Sequence, residues 1–399
     1  MDMEIFKMNF SYPSEILILA ERVKRFIDDV VVPLEAHRYD DPDHGIPLSM
    51  VHTARQKAKS AKLWAPTMPP ELGGLGLSIN EWAPVLEAAG RSLFGPLILN
   101  CAAPDEGNMH LLNLYANDEQ RERYLRPLVN GDIFSCFGMT EPSPGAGSDP
   151  TMLQTTAVRD GNDWIINGHK WWTTGAGFAS FIIIMAKTGE HAKNGATIFL
   201  APIDTEGIEL VRSIKHLGEP DPGGHYEVRF NNLRLPDSAI LGEEGQGFQL
   251  VQKRLGPARL THCMRWTGIA QRALEIATAT ASKREAFGKE LTGHQAIQWM
   301  LADSAMELYS GRLMIQHAAY LLSQGDDARQ EASMTKVHVA ETVNRVLDRA
   351  IQICGGLGIS RDIPLSTWFE AARAFRIYDG ASEVHRMVIA RNVIKQYRD

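Results

Sequence analysis

Four cysteines in 399 residues, Cys101, Cys136, Cys263 and Cys354, stand far apart and include no Cys-x-x-Cys pair. So scattered a set reads as reduced thiols in a reducing compartment, not as a disulfide or zinc framework. Positive charge is also short: 41 Lys and Arg face 48 Asp and Glu, for a net charge of -7. A nucleic-acid binder needs a basic excess, so that class is excluded. A phosphate-bearing small ligand is not, because it needs only a local basic cluster. No apolar run approaches the roughly 18 residues of a membrane span. The opening MDMEIFKMNFSYP carries acids and no long apolar stretch, and reads as neither a signal peptide nor an Arg-rich transit peptide. A cytoplasmic protein without a membrane span is the expectation. The phosphate-cradling patterns GxGxxG and GxxxxGK(S/T) are absent too, and no cluster has the spacing of a metal site.

What is present is ordinary globular material, 44% hydrophobic and 22% charged, long enough for two or three domains. Residues 14–32 place Ile16, Leu19, Val23, Ile27 and Val31 at helical spacing, and Pro33 marks the end. Helical texture runs to about residue 129. Between about 133 and 236 it gives way to β-rich runs, DWIINGHKWWT, SFIIIMAKT, ATIFLAPI and EVRFNNLRLP, separated by Gly, Asn and Asp clusters. Long helical patterns return beyond about 240. Ile297, Leu301, Ala305, Leu308, Ile315, Ala319 and Leu322 share one face, as do Met334, Val337, Val343, Val346, Ala350 and Ile351, with the polar turn SQGDDAR between them. Long helices joined by short polar turns predict an antiparallel bundle. The division is 1–132 helical, 133–238 a β sandwich or barrel, and 239–399 a helical bundle.

Five local patterns could carry chemistry, and each has a plain structural alternative. Thr140-Glu141-Pro142 with Gly145-Ala146-Gly147-Ser148-Asp149 is either a turn or a backbone cradle for anionic oxygens. Trp171-Trp172-Thr173-Thr174 ends a predicted strand. Alternation puts Trp172 and Thr174 on one face, as packed core or as the lining of a flat heterocycle. Arg284-Glu285-Ala286-Phe287-Gly288-Lys289, followed by His294-Gln295, is a solvated helix–helix turn or a phosphate contact. Gln352-Ile353-Cys354-Gly355-Gly356-Leu357-Gly358 closes a long helix, either as a cap or in close approach to a ligand. In Tyr378-Asp379-Gly380-Ala381-Ser382-Glu383-Val384-His385-Arg386, Asp379 or Ser382 caps the following helix, or Asp379 is a partly desolvated general base, and both roles can coexist in the segment.

Taken in order, FGMTEPSPGAGSD, WIINGHKWWTT, REAFGKELTGHQAI, QICGGLGISRDIPL and RIYDGASEVHRMVIARNVI resemble the acyl-CoA dehydrogenase family from about residue 15 to the C-terminus. GPARLTHCMRWTGIAQRALEIA and YDGASEVHR are most similar to the acyl-CoA dehydrogenase 10 and 11 proteins, here without their kinase-like domain. The resemblance implies a mostly α protein with a central β domain, an N-terminal α domain and a C-terminal four-helix bundle. It implies FAD between the middle domain and the bundle, and a role in fatty acid β-oxidation. Phe137, Met139 and Thr140 would meet the isoalloxazine edge, with Trp172 flanking the ring and Thr174 near its N5. Arg284, Phe287, Gln295, Gln352, Gly355 and Gly356 resemble residues that hold the FAD of a neighbouring subunit in a homodimer or homotetramer. Ala381 and Glu383 fall at adenosine contacts, Ser148, Arg259 and Arg391 at the CoA portion, and Gly380 beside the thioester. Asp379 takes the place of the usual glutamate base. Ala258 stands where some members carry that glutamate instead, so no second base is expected.

The implied reaction turns an acyl-CoA into a trans-2-enoyl-CoA and passes electrons to an electron-transferring flavoprotein. Ser143 and Pro144 lengthen the common TEPGAGSD loop and put its FAD contacts in question. An acyl-CoA oxidase, a nitroalkane oxidase (a relative that also uses aspartate) and a catalytically silent structural homologue are the alternative readings.

Overall fold

A computed structural model describes residues 11–398. Most of the N-terminal segment read above for its lack of a leader therefore lies outside the described residues. Contacts group the chain into two compact units, each assembled from separate stretches of sequence. Among the described residues one comprises 11–35, 77–99 and 259–398; the other comprises 36–76 and 100–258.

The first unit is helical. Ser14–Phe26 turns Ile16 and Val23 inward. The chain then widens at Ile27–Val31 and tightens at Val32–His37, where Pro33 supplies no N–H to continue an α-helix. The bundle uses the helix Gly247–Ala281 from Arg259 onward, together with Gln295–Ser323, Arg329–Cys354, Leu365–Arg373 and Ser382–Gln396. The predicted faces of the two central helices are inward at Leu308, Ile315 and Ala319, and at Val343, Val346 and Ala350. Ala305 departs from this pattern and is exposed. Helix Ile79–Ala89 ends against the first bundle helix at a glycine contact. A Cβ on Gly268 would lie 2.1 Å from the Glu87 carbonyl oxygen, so only glycine lets the two backbones approach. Arg91 secures the junction, reaching Asp28 at 3.0 Å and Glu275 at 2.9 Å.

The second unit is built on a mixed sheet. Its strands are β1 (Phe134–Gly138), β2 (Thr156–Asp160), β3 (Asp163–Thr174), β4 (Ala179–Lys187), β5 (Ala196–Pro202), β6 (Ile208–Ser213), β7 (His225–Pro236) and β8 (Ile240–Leu241). The order is β6-β7-β3-β2-β4-β5-β8, with β1 parallel to β4. One buried cluster draws on strands distant in that order, including Trp164 and Ile166 of β3, Phe199 of β5 and Phe230 of β7. Trp164 meets Phe199 edge-on at 5.7 Å. The sheet therefore folds over a single apolar core, as the alternating β-rich runs lead one to expect.

Candidate active site

On the sheet unit the organising residue is Glu141, a buried carboxylate. Its Oε1 accepts from Lys170 Nζ at 2.8 Å and from the Thr155 N–H at 2.8 Å, and Oε2 accepts from the N–H groups of Gln154 and Ala146 at 2.6 and 3.1 Å. Burial alone would raise its pKa, but Lys170 and these donors outweigh it and hold the carboxyl down at about 2. Lys170, fully buried on β3, also donates to the Met139 carbonyl at 3.0 Å. The two additional residues, Ser143 and Pro144, are absorbed in a turn closed by the Gly145 N–H and the Pro142 carbonyl at 2.8 Å. A Cβ on Gly145 would sit 2.4 Å from Glu141 Oε2, so glycine is required there. The loop is thus a scaffold hung on Glu141, with Gly147 and Ser148 exposed at its tip.

Trp172 and Thr174 do come together, but not by simple alternation. The β3–β7 register slips between Lys170 and Thr173, and Trp172 takes a left-handed φ of 53°. Its indole is 42% exposed and packs on the rings of His216 and His225, at 6.0 and 5.8 Å. Thr174 Oγ1 lies 2.9 Å from His225 Nδ1, so one histidine steadies both residues. The Trp171 N–H reaches the Thr140 carbonyl at 3.0 Å, which fixes the TEP loop beside this edge. Phe137, on β1, lies under the Arg254 guanidinium at 4.4 Å. Among the described residues, His216, Asp221 and His225 bring their ligand atoms within 4.8 Å of one another. Arg38 already meets the Asp221 charge at 3.3 Å.

In the bundle unit, Asp379 has φ 52° and is followed by Gly380 at φ 99°. It is not the helix cap: Ala381 holds that position, and Glu383 lies in the first turn of Ser382–Gln396. Arg259 donates from Nε to the Asp379 carbonyl at 3.1 Å, and burial lowers its pKa. His385 Nε2 reaches the same carbonyl at 3.2 Å. Burial first, and then Arg259, pull His385 down to about 4, so it is neutral near pH 7. His262 Nε2 lies 3.1 Å from Asp379 Oδ2. Trp266 Nε1 donates to the Tyr378 hydroxyl at 2.5 Å. Lys336, buried, donates to the Phe375 and Gly380 carbonyls at 2.7 and 2.8 Å. Arg391 is exposed on the last helix.

The remaining candidates sit on other segments of this unit. Arg284 precedes a two-stranded hairpin, Glu285–Ala286 with Lys289–Glu290, whose tip is Phe287 at φ 54° and 96% exposed. Gln295 opens the following helix and is exposed. Gln352 is exposed in the last turn of Arg329–Cys354, and Gly355 caps that helix. A Cβ on Gly355 or Gly356 would meet nothing within 4 Å, so both backbones lie open to a ligand. Cap and open approach coexist here.

Sequence reasoning did not find His262, Trp266, Lys336 or His385. The signal available for two of them, His262 and Trp266, was their repetition with Arg259 at intervals of three and four, which places one helical face toward a single partner.

Comparison with known proteins supplies the family. The acyl-CoA dehydrogenase N-terminal, middle and C-terminal domains match residues 13–132, 136–233 and 245–394. FadE2 of Mycobacterium tuberculosis, described as a probable acyl-CoA dehydrogenase, is 39% identical over 96% of this chain and 96% of its own length. The chain belongs to the acyl-CoA dehydrogenase family. Acyl-CoA dehydrogenase family member 11 of Gallus gallus is 39% identical over 93% of this chain, which spans about half (49%) of that relative's length. A Mycobacterium abscessus structure assigned to the same family superposes with a TM-score of 0.91 at 40% identity, covering 97% of this chain and 100% of that one. A solved FAD complex of PigA gives a TM-score of 0.86 at 26% identity, covering 97% and 99%. No helix among the described residues is long and apolar enough to cross a membrane.

Proposed function

We propose that this chain dehydrogenates an acyl-CoA thioester between its α and β carbons, with Asp379 as the base that takes the α-proton. The observation that carries the reading is the setting of Asp379. A carboxylate on a left-handed residue is held at its backbone by Arg259 and at its Oδ2 by His262. Ala258, at the other position where a base is expected in this family, offers no carboxylate.

The residues fit FAD by the chemistry of their donors and surfaces. Trp172 offers a half-exposed indole face, with Thr140 and Thr174 hydroxyls near it along the chain. Phe137 and Met139 add apolar edge, and Arg284 offers a cation for a pyrophosphate. Gly355 and Gly356 leave open backbone, while Phe287, Gln295, Gln352, Ala381 and Glu383 complete the set. When bound, the flavin accepts the β-hydrogen with its electron pair. The protein's own work is to seat the thioester beside Gly380 and exclude water from Asp379. The α C–H bond breaks, its electrons stay with the substrate, and the proton passes to the carboxylate. Ser148 and Arg391 are assigned to the CoA portion. Arg259 is assigned to the CoA portion as well as to the loop that carries the base. We further propose that electrons leave to an electron-transferring flavoprotein.

The test is anaerobic flavin bleaching by acyl-CoAs and, separately, by nitroalkanes. Bleaching by an acyl-CoA that is lost in Asp379→Asn, with flavin retained, supports the reading. Bleaching by a nitroalkane alone would assign the alternative carbon-acid chemistry. A protein that purifies without flavin would favour the silent homologue. Rapid reoxidation of the acyl-CoA-reduced protein by oxygen would make it an oxidase.

A further inference from the structure

We propose that His262 is the positioning partner of Asp379: an imidazole that donates from Nε2 and holds the short carboxylate by its Oδ2. This deepens the reading of Asp379 as the base and rests on it.

The helix Gly247–Ala281 grips the Tyr378–Asp379 turn with one face. Arg259 Nε donates to the Asp379 carbonyl at 3.1 Å, and His262 Nε2 lies 3.1 Å from Asp379 Oδ2. Trp266 Nε1 donates to the Tyr378 hydroxyl at 2.5 Å. The residues at i, i+3 and i+7 of a helix share a face, so all three contacts come from one rigid element.

The tautomer of His262 follows from its other neighbour. Arg265 Nη2 lies 3.2 Å from His262 Nδ1. A guanidinium has donors and no acceptor, so Nδ1 must accept and the single ring proton sits on Nε2, facing Asp379. A proton on Nδ1 would oppose an Arg265 N–H, so the donor faces Asp379. The imidazole is also fixed in place by packing, with ring centroids 4.7 Å from Tyr378 and 6.2 Å from Phe375.

An aspartate has one fewer methylene than glutamate, hence less reach and less tolerance of misplacement. A donor fixed at Oδ2 sets the plane of the carboxylate and stabilises its charged form. In the proton transfer, His262 keeps its own proton. The proton from the α carbon becomes bound to Asp379, and the C–H electron pair remains on the substrate.

Other groups face this pair. Arg259 and Arg265 lie on the same helix as His262, with Cys263 buried beside them. Lys336 and Glu341 come from Arg329–Cys354, with Arg329 at its start. Tyr378 precedes Asp379, and His385 comes from the last helix. Burial raises the Tyr378 hydroxyl and lowers His385, so both are neutral near pH 7. In that company His262 supplies a directed N–H.

The experiment compares His262→Leu, His262→Gln and His262→Asn in the flavin-loaded protein. Rates of anaerobic bleaching by a good acyl-CoA and the pH profile of kcat/KM are read, with Asp379→Asn as control. A glutamine amide can occupy the place of Nε2–H, whereas asparagine is too short. His262→Leu and His262→Asn should lower the bleaching rate roughly tenfold to hundredfold. Both should also move the acid limb of the profile to higher pH, because the carboxylate loses a donor. His262→Gln should restore most of the rate and return the limb. If glutamine and asparagine behave alike, or if leucine leaves rate and limb unchanged while Asp379→Asn is dead, His262 has no positioning role and the base stands. If Asp379→Asn bleaches at the parent rate, the base assignment itself fails and His262 falls with it. Should the leucine variant not fold, the glutamine–asparagine pair decides alone.

Discussion

Lys336 places its ammonium 2.8 Å from the carbonyl oxygen of Gly380, the residue that follows Asp379. The same Nζ holds the Phe375 carbonyl at 2.7 Å, so one buried cation spans the turn that carries the base. Burial pulls Lys336 down to about 8, against attraction from Cys263 and Asp379. It remains mostly charged at pH 7.

Lys336→Met should therefore loosen the turn. Two buried carbonyls lose a charged donor, each worth about 1.5–3 kcal/mol, and part of that is offset because the cation no longer has to be buried. A net loss of about 2 kcal/mol is expected, with a larger fall in bleaching rate than in acyl-CoA binding. Urea unfolding and stopped-flow reduction measure the two effects. Parent stability and parent rate together would show that the turn holds its shape without Lys336.

Asp379→Glu tests whether the site is built around the shorter acid. The backbone at Asp379 is left-handed, and the added methylene carries the carboxylate past His262 Nε2. The expected outcome is slower reduction than the parent with FAD retained. A rate equal to or above the parent would mean that the site merely tolerates aspartate. Asp379→Asn, which keeps the shape, should lose about 10²–10⁴-fold.

Arg284→Ala should weaken FAD retention roughly tenfold to hundredfold, the usual result of losing a charge-assisted phosphate contact. The fold should survive, because Arg284 is exposed and precedes a small hairpin. Fluorescence titration of the apoprotein gives the flavin dissociation constant, and an unchanged value removes Arg284 from the site.

The exposed Phe287, and the apolar stripe of Trp299, Met306 and Tyr309 on Gln295–Ser323, fit a second copy of the chain. Light scattering should show at least a dimer. A stable monomer with full flavin occupancy would contradict this.

Glu141 gives a pH prediction for stability. Its folded carboxyl is held at about 2, below the ordinary carboxylate value. The unfolded chain thus binds more protons between about pH 2 and 4.5, and stability rises with pH across that window. The contribution is fully present above about pH 4.5 and disappears as pH falls toward 2. Glu141→Gln leaves Lys170 buried without its partner and should cost roughly 3–5 kcal/mol at pH 7. It should also flatten the acid end of a thermal-midpoint profile. A variant with the parent's steep acid loss would assign that loss to other carboxylates.

The sequence by itself determined the family, the α–β–α order of textures and the segment that carries Asp379. Those features are written in neighbouring residues. Helical and strand periods depend on the local pattern, and YDGASEVHR and WWTT are contiguous. Only the tertiary structure decided what holds them. His262, Lys336 and His385 reach the Asp379 turn from three different helices, and no local pattern says that they converge on one carboxylate and its carbonyl neighbours. Arg259 also reaches the Asp379 carbonyl, a contact that its place in the sequence does not show. Trp172 and Thr174 meet through a register slip and His225, where alternation alone gives the right face for the wrong reason. Periodicity tells which way a side chain points. Which group it meets is set by packing between distant segments, where close contact and loss of water select a single donor for each acceptor.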